Sequence, residues 1–509
     1  MNHSNSSDTQ NEVAHEAESK KMRSGWIRQS SYVSLPDLFY RQCQPALGGG
    51  IESGGGNVPK MVIFNTALAD SLGLEAPDPE SLAAYLAGAG AYEYPPLAMA
   101  YAGHQFGHLT MLGDGRAHLL GEHITPDDAR FDVQLKGSGA TPYSRGGDGK
   151  AALAPLLREY IMSEALAALN IPTTRSLAVV ATGENVIRET ILAGAVLTRL
   201  AASHLRIGTF EFAAAQQDKA ALVALADYAI ARHDPNLVDK RHPYIALLRG
   251  VMRRQISLIV AWLRVGFVHG VMNTDNTTLS GETIDYGPCA FIDEYNANAV
   301  FSAIDEKGRY AFVRQADIIK WNLARFAEAL LPLFHKHIEH AAQMAQEVIE
   351  EFDAYFLDEW LAMMRGKFGL TETASDDSGN ARTSDGVMFG AFLTHLQTHK
   401  IDYTNFFRGL NPDNSDLPSD LKEQYQARFR QNKKSPAIAL EMMRTANPAR
   451  IPRNHLVEAA LNAATQDDLA PLHDLLAACA TPYTSDPNFS KYEKPPNEDE
   501  RVRYTFCGT

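Results

Sequence analysis

Hydrophobic positions change their rhythm several times along the chain, and each change predicts a different element. Residues 26–95 mix short apolar runs with Gly and Pro clusters such as "PALGGGIESGGGNVP", which predicts a loop-rich segment leading into a helix near "NTALADSLGL". From about residue 96, glycine-punctuated stretches, "LGDGRAHLLGE" and "RFDVQLKGSG", read as strands joined by tight turns. In "ALAPLLREYIMSEALAALN" the apolar residues fall at 153, 156, 157, 160, 161, 165 and 166, the spacing of one helix, closed by Asn170 and "IPTT". "RSLAVVATG" and "ENVIRETI" predict two more strands. The pattern then turns helical from about 193 to 265. Helices dominate again over about 315–367 and 418–480, separated by the polar stretch "TETASDDSGNARTSDG".

A small strand-rich part with one long helix, followed by a larger helical part, predicts an α+β chain arranged like the two lobes of a protein kinase, a protein-kinase-like bilobal fold with a helical extension behind it. The boundaries that follow are a disordered tail over 1–25, a loop-rich extension over 26–95, a small lobe over 96–192, a large lobe over 193–367, and a helical extension with a redox-capable tail over 368–509.

Composition narrows the function classes. The 509 residues suggest about three domains, or one large catalytic unit with additions. Hydrophobic residues at 45% and charged residues at 21% are those of a globular chain. The net charge of −14, with no basic stripe, would repel a phosphate backbone and excludes nucleic acid as an expected partner. The longest apolar runs, such as "SLIVAWL", fall far short of the roughly 20 residues a membrane-spanning helix needs. Residues 1–25 are polar and carry several acids, so they match neither a secretory signal nor a transit peptide, and a cytoplasmic protein is expected. The four cysteines, Cys43, Cys289, Cys479 and Cys507, show no C-x-x-C spacing, which argues against structural zinc. Cys507, close to the C-terminus, is placed for redox chemistry.

"HGVMNTDNTTLSGETIDYG", residues 269–287, sets the catalytic loop of a kinase beside its metal-binding turn. Asn276 holds the asparagine position of that loop, and nine residues on Asp285 opens "DYG", as in D-F-G; an amide oxygen and a carboxylate suit magnesium. His269 reads as a structural residue holding the loop. The position of the kinase base is Val271, which cannot accept a proton. Asp275, immediately before Asn276, is the carboxylate of the catalytic-loop stretch "HGVMNTDN" and the candidate base. "VQLK" matches the third kinase strand and makes Lys136 a phosphate anchor. Its helical partner is Glu159 or Glu164: Glu164 falls near the middle of the apolar stripe and is expected to be the more buried, whereas Glu159, at the edge, is favoured as the partner. In "LGDGR", Gly113 and Gly115 let backbone approach phosphates and Arg116 adds charge. Arg199 and Arg206, seven apart, are expected on one helix face. His104 and His108 in "HQFGH" have the spacing of a helical zinc pair, but Gly103 and Gly107 argue against a helix.

"GHQFG", "LGDGRA", "LKGSGATPYSRGGDGKA", "GAVLTRLAASHLRIG" and "HGVMNTDN…IDYGP" together resemble the selenoprotein O family of protein adenylyltransferases, from about residue 35 to the end. The resemblance implies a pseudokinase that binds ATP turned around, so that the α-phosphate meets the acceptor, and attaches AMP to Ser, Thr or Tyr of other proteins. It implies ATP contacts from Gly113, Gly115, Arg116, Lys136, Asp148, Gly149, Arg199, Arg206 and Asp285. Magnesium, or manganese in its place, would be held by Asn276 and Asp285, Glu159 would pair with Lys136, and Asp275 would accept the proton. Asp148 and Gly149 carry no such signal of their own. Cys507 in "TFCGT" looks like the position where members of this family carry selenocysteine or cysteine, and a disulfide from it to Cys289 is a further implication. Two other readings stay open: a small-molecule or protein kinase, against which Val271 counts, and a non-catalytic ATP-binding scaffold, against which Lys136, Asp275, Asn276 and Asp285 count.

Overall fold

The computed structural model describes residues 26–46, 58–74, 79–371, 380–413 and 416–505. The expected tail over 1–25, most of the first glycine cluster, and Cys507 lie outside the described residues. The fold is mixed α and β with an antiparallel sheet, and the chain divides into two compact units. One takes in the residues up to Ala100, Gly113–Leu153 and Ser176–His204; the other takes in Tyr101–Leu112, Ala154–Arg175 and everything from Leu205 on.

The first unit is built on strands β1 (Tyr40–Gln42), β2 (Lys60–Phe64), β3 (Leu97–Gln105), β4 (His108–Gly113), β5 (Ala117–Ile124), β6 (Arg130–Lys136), β7 (Ala151–Ala152), β8 (Arg175–Ile187) and β9 (Ile191–Ala201). The sheet order is β1-β3-β5-β6-β9-β8-β2, with β4 on β3 and β7 on β9. Leu120, Val133, Leu135, Leu177, Val196 and Leu200 pack against Leu72 and against Leu68 of the Thr66–Ser71 helix just before it, which Asn65 caps by accepting a hydrogen bond from the Leu68 N–H at 3.0 Å. β3 continues past Ala100 as the first arm of a hairpin whose residues Tyr101–Leu112 group with the second unit.

Residues 191–201 correct an expectation: they form a strand, and the following helix begins only at Ile207. β9 lies between β6 and β8, and from Gly194 on every residue is buried, so the alternation that marks a half-exposed strand is missing and the apolar run imitates a helix. Arg199 and Arg206 therefore do not share a helix face. Arg199 sits on β9, and Arg206 stands in extended conformation immediately before the Ile207–Ala215 helix.

The second unit is helical. Pro243–Val265 buries Leu247, Leu248, Val251, Met252, Ile256 and Ile259 at helical spacing and stops at Gly266, whose φ of +79° is the left-handed turn that glycine adopts most readily. The chain then makes β10 (Phe267–Val268), which pairs antiparallel with β11 (Ala290–Phe291), so the intervening loop leaves and returns at one ribbon. Gln315–Phe334, Ile338–Glu350 and Phe352–Phe368 follow, and a helix at Asn380–His399 rises out of the polar stretch expected only to separate helices. Among the described residues no helix is long and apolar enough to cross a membrane.

The helix expected after residue 152 spans Leu153–Ala168, and Asn170, at φ +57°, ends it. The burial of its two acids is the reverse of expectation. Glu159 is buried, whereas Glu164 is partly exposed and forms a two-bonded ion pair with Arg175, at 3.0 Å to Nε and 2.7 Å to Nη2. Glu159 is covered although it lies at the edge of the apolar stripe, so an edge position in sequence is not an edge in space.

Candidate active site

The loop 269–287 is held from several sides within the second unit. His269 is buried, accepts a 3.4 Å hydrogen bond at Nδ1 from the Val271 N–H, and stands with Nε2 2.8 Å from the Ile284 carbonyl. One nitrogen accepts and the other donates, which is the neutral ring, and burial lowers its pKa accordingly. The ring stacks on Trp262 at 5.3 Å. The histidine thus fastens the loop to the metal-type turn, as its reading from sequence proposed. Tyr286 fixes that turn in the same way: its hydroxyl lies among Thr173, Thr174 at 2.9 Å and the Thr283 carbonyl at 2.7 Å. Asp285, just before it, takes φ +62°, a conformation that costs energy in a non-glycine residue and is kept where surrounding contacts enforce it.

Asp275 is 7% exposed, and its Oδ1 accepts no hydrogen bond among the described residues. Burial pushes its carboxyl up to about 6, while the Arg206 charge and the Gln105 amide hold it back from rising further. Arg206 is the organising cation: one nitrogen donates to the Asp275 carbonyl at 2.8 Å and to Asp285 Oδ2 at 3.2 Å, and its guanidinium lies 4.5 Å from the Tyr101 ring. Asn276 donates from Nδ2 to the Val271 carbonyl at 2.8 Å. That bond turns the amide oxygen into the end available to a hard cation, so Asn276 and Asp285 fit the donor set magnesium takes.

The hairpin of β3 and β4 supplies contacts that sequence reasoning missed. His104 and His108 lie on its two strands, not on a helix. The His104 N–H donates to Thr274 Oγ1 at 2.7 Å, Thr274 donates to Glu211 Oε2 at 2.5 Å, and His104 Nδ1 lies 2.6 Å from Glu211 Oε1. This closed ring fixes the residue before Asp275. Phe106 N–H donates to Asn273 Oδ1 at 3.2 Å, and Tyr310 donates to the same oxygen at 2.6 Å. Gly103 is small for a reason: a Cβ there would lie 2.8 Å from Asp275 Cβ and overlap the carboxylate itself. Gly208 likewise admits the Ala102 carbonyl. The "GHQFG" stretch was visible as a motif, but nothing in the sequence tied it to Thr274 or singled out Glu211 within an apolar helix.

The remaining candidates belong to the first unit. A Cβ on Gly115 would come to 3.0 Å from the Tyr143 carbonyl, and one on Gly113 would enter the Tyr143 ring, so the turn packs backbone against the 141–144 segment. Asp114, between them, accepts from the Met99 N–H at 3.1 Å and from Gln134 Nε2 at 2.9 Å, and Gln134 Oε1 accepts from Arg199 Nε at 2.8 Å. Arg199 is thereby aligned from β9 through β6 to the glycine turn. Lys136 closes β6 and is buried; Arg116 is half-exposed. Asp148 is bound by Arg188 at 2.9 and 3.1 Å, which holds its carboxyl below the usual range, and Gly149, at φ +66°, lies against Gly139. In the second unit Glu159 lies close enough to Tyr286 for its charge to help raise the phenol. Cys289 is buried, with Sγ 3.2 Å from the Tyr286 carbonyl, and Thr505 donates to the neighbouring Pro288 carbonyl at 2.5 Å.

The loop thus gathers a buried carboxylate, Asp275, with Asn276 beside it and Asp285 on the turn that Arg206 ties to it. Comparison with known proteins gives the class: a nucleotidyltransferase. The family model described as protein adenylyltransferase SelO matches residues 55–480. The protein nucleotidyltransferase YdiU of Nitrosococcus oceani is 51% identical over 497 residues, 95% of this chain and 98% of its own. That of Bacillus cytotoxicus is 49% identical over 506 residues, 97% of this chain and all of its own, and that of Brevibacillus brevis 49% identical over 497, covering 95% and 98%. The chain belongs to the SelO family of protein adenylyltransferases.

Proposed function

We propose that the chain transfers AMP from ATP to Ser, Thr or Tyr hydroxyls of other proteins, with Asp275 accepting the hydroxyl proton. The observation that carries this reading is the buried Asp275 carboxylate, whose pKa near 6 and unpartnered oxygen suit a base working close to neutral pH. As the hydroxyl proton passes to Asp275, the acceptor oxygen bonds the α-phosphorus and the bond from that phosphorus to the bridging oxygen breaks, releasing pyrophosphate. Val271 leaves the usual kinase base position empty of chemistry, which fits a nucleotide lying reversed in a kinase-like bilobal fold.

In this reading Gly113, Gly115, Arg116, Lys136, Asp148, Gly149, Arg199 and Arg206 bind ATP, and Glu159 pairs with Lys136 to orient it. Asn276 and Asp285 would hold magnesium or manganese, which supplies charge neutralisation at the phosphates. Arg206 fixes the Asp275 backbone and Asp285 together, so base and metal ligand move as one. The expected location is cytoplasmic. A bond between Cys289 and Cys507 belongs to the same reading, and mass mapping that finds both thiols free in the oxidised protein would remove it.

Incubation with candidate protein acceptors and ATP labelled at either the α or the γ phosphate tests the reading. Label entering protein from the α position supports it. Label entering from γ makes the chain a kinase, and label from neither makes it a scaffold.

A further inference from the structure

Beside the ring of His104, Glu211 and Thr274 stands a cluster that the proposed chemistry does not use. Trp321 meets His104 edge-on at 5.2 Å, and the guanidinium carbons of Arg309 and Arg325 lie 4.9 and 5.0 Å from the Trp321 ring centre. Arg309 also borders the hairpin turn, where a Cβ on Gly107 would come to 3.9 Å from it. The Nε of each arginine is buried and has no hydrogen-bond partner among the described residues. Each side chain is nonetheless partly exposed, so an acceptor from outside would meet the guanidinium ends, which the ring holds in place.

Most of the acids around them are committed elsewhere. Both oxygens of Asp305 accept backbone N–H groups, from Arg309 and Tyr310, at 2.8 Å each. Glu211 attracts Arg325 but spends its oxygens on His104 and Thr274. Glu328 is the exception: it pairs with Arg325 Nη2 at 2.6 Å one helical turn on, so an incoming carboxylate would share Arg325 with it. Arg309 contacts Tyr310. The cluster thus places positive charge beside the His104 that braces Thr274, the residue before Asp275, on a chain whose net charge is −14.

We propose that Arg309 and Arg325, stacked on Trp321, bind a carboxylate of the acceptor protein, so that hydroxyls with Asp or Glu a few positions away are the preferred targets. The inference rests on the adenylyltransferase reading and names its substrate class. Guanidinium planes held on an aromatic ring are preorganised for a carboxylate fork. An extended acceptor advances about 3.3 Å per residue, so an acid a few residues from the hydroxyl spans the His104 and Trp321 rings.

Matched serine peptides carrying Asp or Asn at those positions, assayed with α-labelled ATP and the full chain, test this. On the wild-type protein the Asp peptide is expected to show a KM roughly tenfold lower. The R309Q/R325Q double variant is expected to lose the preference, with the change in the acceptor's KM and not in that of ATP. R309E is expected to favour a Lys peptide instead, and R325K, which keeps the charge but loses the planar fork, to keep only part of the preference; a melting curve checks that each variant is folded. Equal KM values for the two peptides on the wild-type protein overturn the proposal, as does a raised ATP KM with the peptide preference intact. Failure of any acceptor to take the α label overturns the adenylyltransferase reading itself.

Discussion

Replacing Asp275 by Asn separates the cost of holding the base from its use. The carboxyl is raised from 3.8 to about 6, chiefly because the loop buries it with one oxygen unbonded. A shift of about two units corresponds to ~3 kcal/mol of differential stability. The folded pKa lies above the unfolded one, so this contribution is fully present below about pH 4 and is lost as pH rises through about 6. The Asn side chain carries no charge and escapes that loss. Relative to Asp275→Asn, the wild-type protein without nucleotide or metal should therefore lose stability as pH rises, by about 1.4 kcal/mol between pH 5 and pH 8. AMP transfer by the variant should fall by about 10² to 10⁴. Urea midpoints of both proteins at the two pH values, with the transfer assay alongside, give both quantities. A stability difference that does not change with pH, or a variant that transfers AMP at the wild-type rate, would refute the assignment of Asp275 as a buried base.

Four further outcomes are expected. The rate at saturating substrates should rise with pH through about 6 as Asp275 ionises, and a profile flat from pH 5 to 8 would contradict it. Gly103→Ala should cost about 1–3 kcal/mol in a urea melt and abolish most activity, because the added methyl occupies the space of the Asp275 carboxylate. Thr274→Val leaves the Glu211 oxygen and the His104 N–H unpaired, a loss of about 1–3 kcal/mol, and should lower kcat more than it raises the KM for ATP; calorimetry and steady-state rates check both parts. Asn276→Ala should raise the magnesium concentration needed for half-maximal rate, whereas Glu164→Ala, which breaks the Arg175 pair, should lower the melting temperature and leave the metal dependence alone.

The local chemistry of the site was legible because it is short-range. His269, Asp275, Asn276 and Asp285 lie within 17 residues, and their spacing alone suggested a loop and a metal turn. Contacts made across the fold were not legible. Glu211 looks like one polar residue in "FEFAAA", and only folding brings it to His104 and Thr274. β9 was read as a helix because a strand covered on both faces shows no alternation, and that error carried Arg199 and Arg206 onto a common face they do not have. Glu159 and Glu164 were ranked by their place on one helix, while their burial is set by what packs against each.

The reversed nucleotide is the centre of the account, and a crystal structure of the full chain with a non-hydrolysable ATP analogue and magnesium tests it most directly. The account predicts the α-phosphorus nearest the Asp275 carboxylate. The γ-phosphorus in that place, or Asp275 turned away from the phosphates, would contradict it.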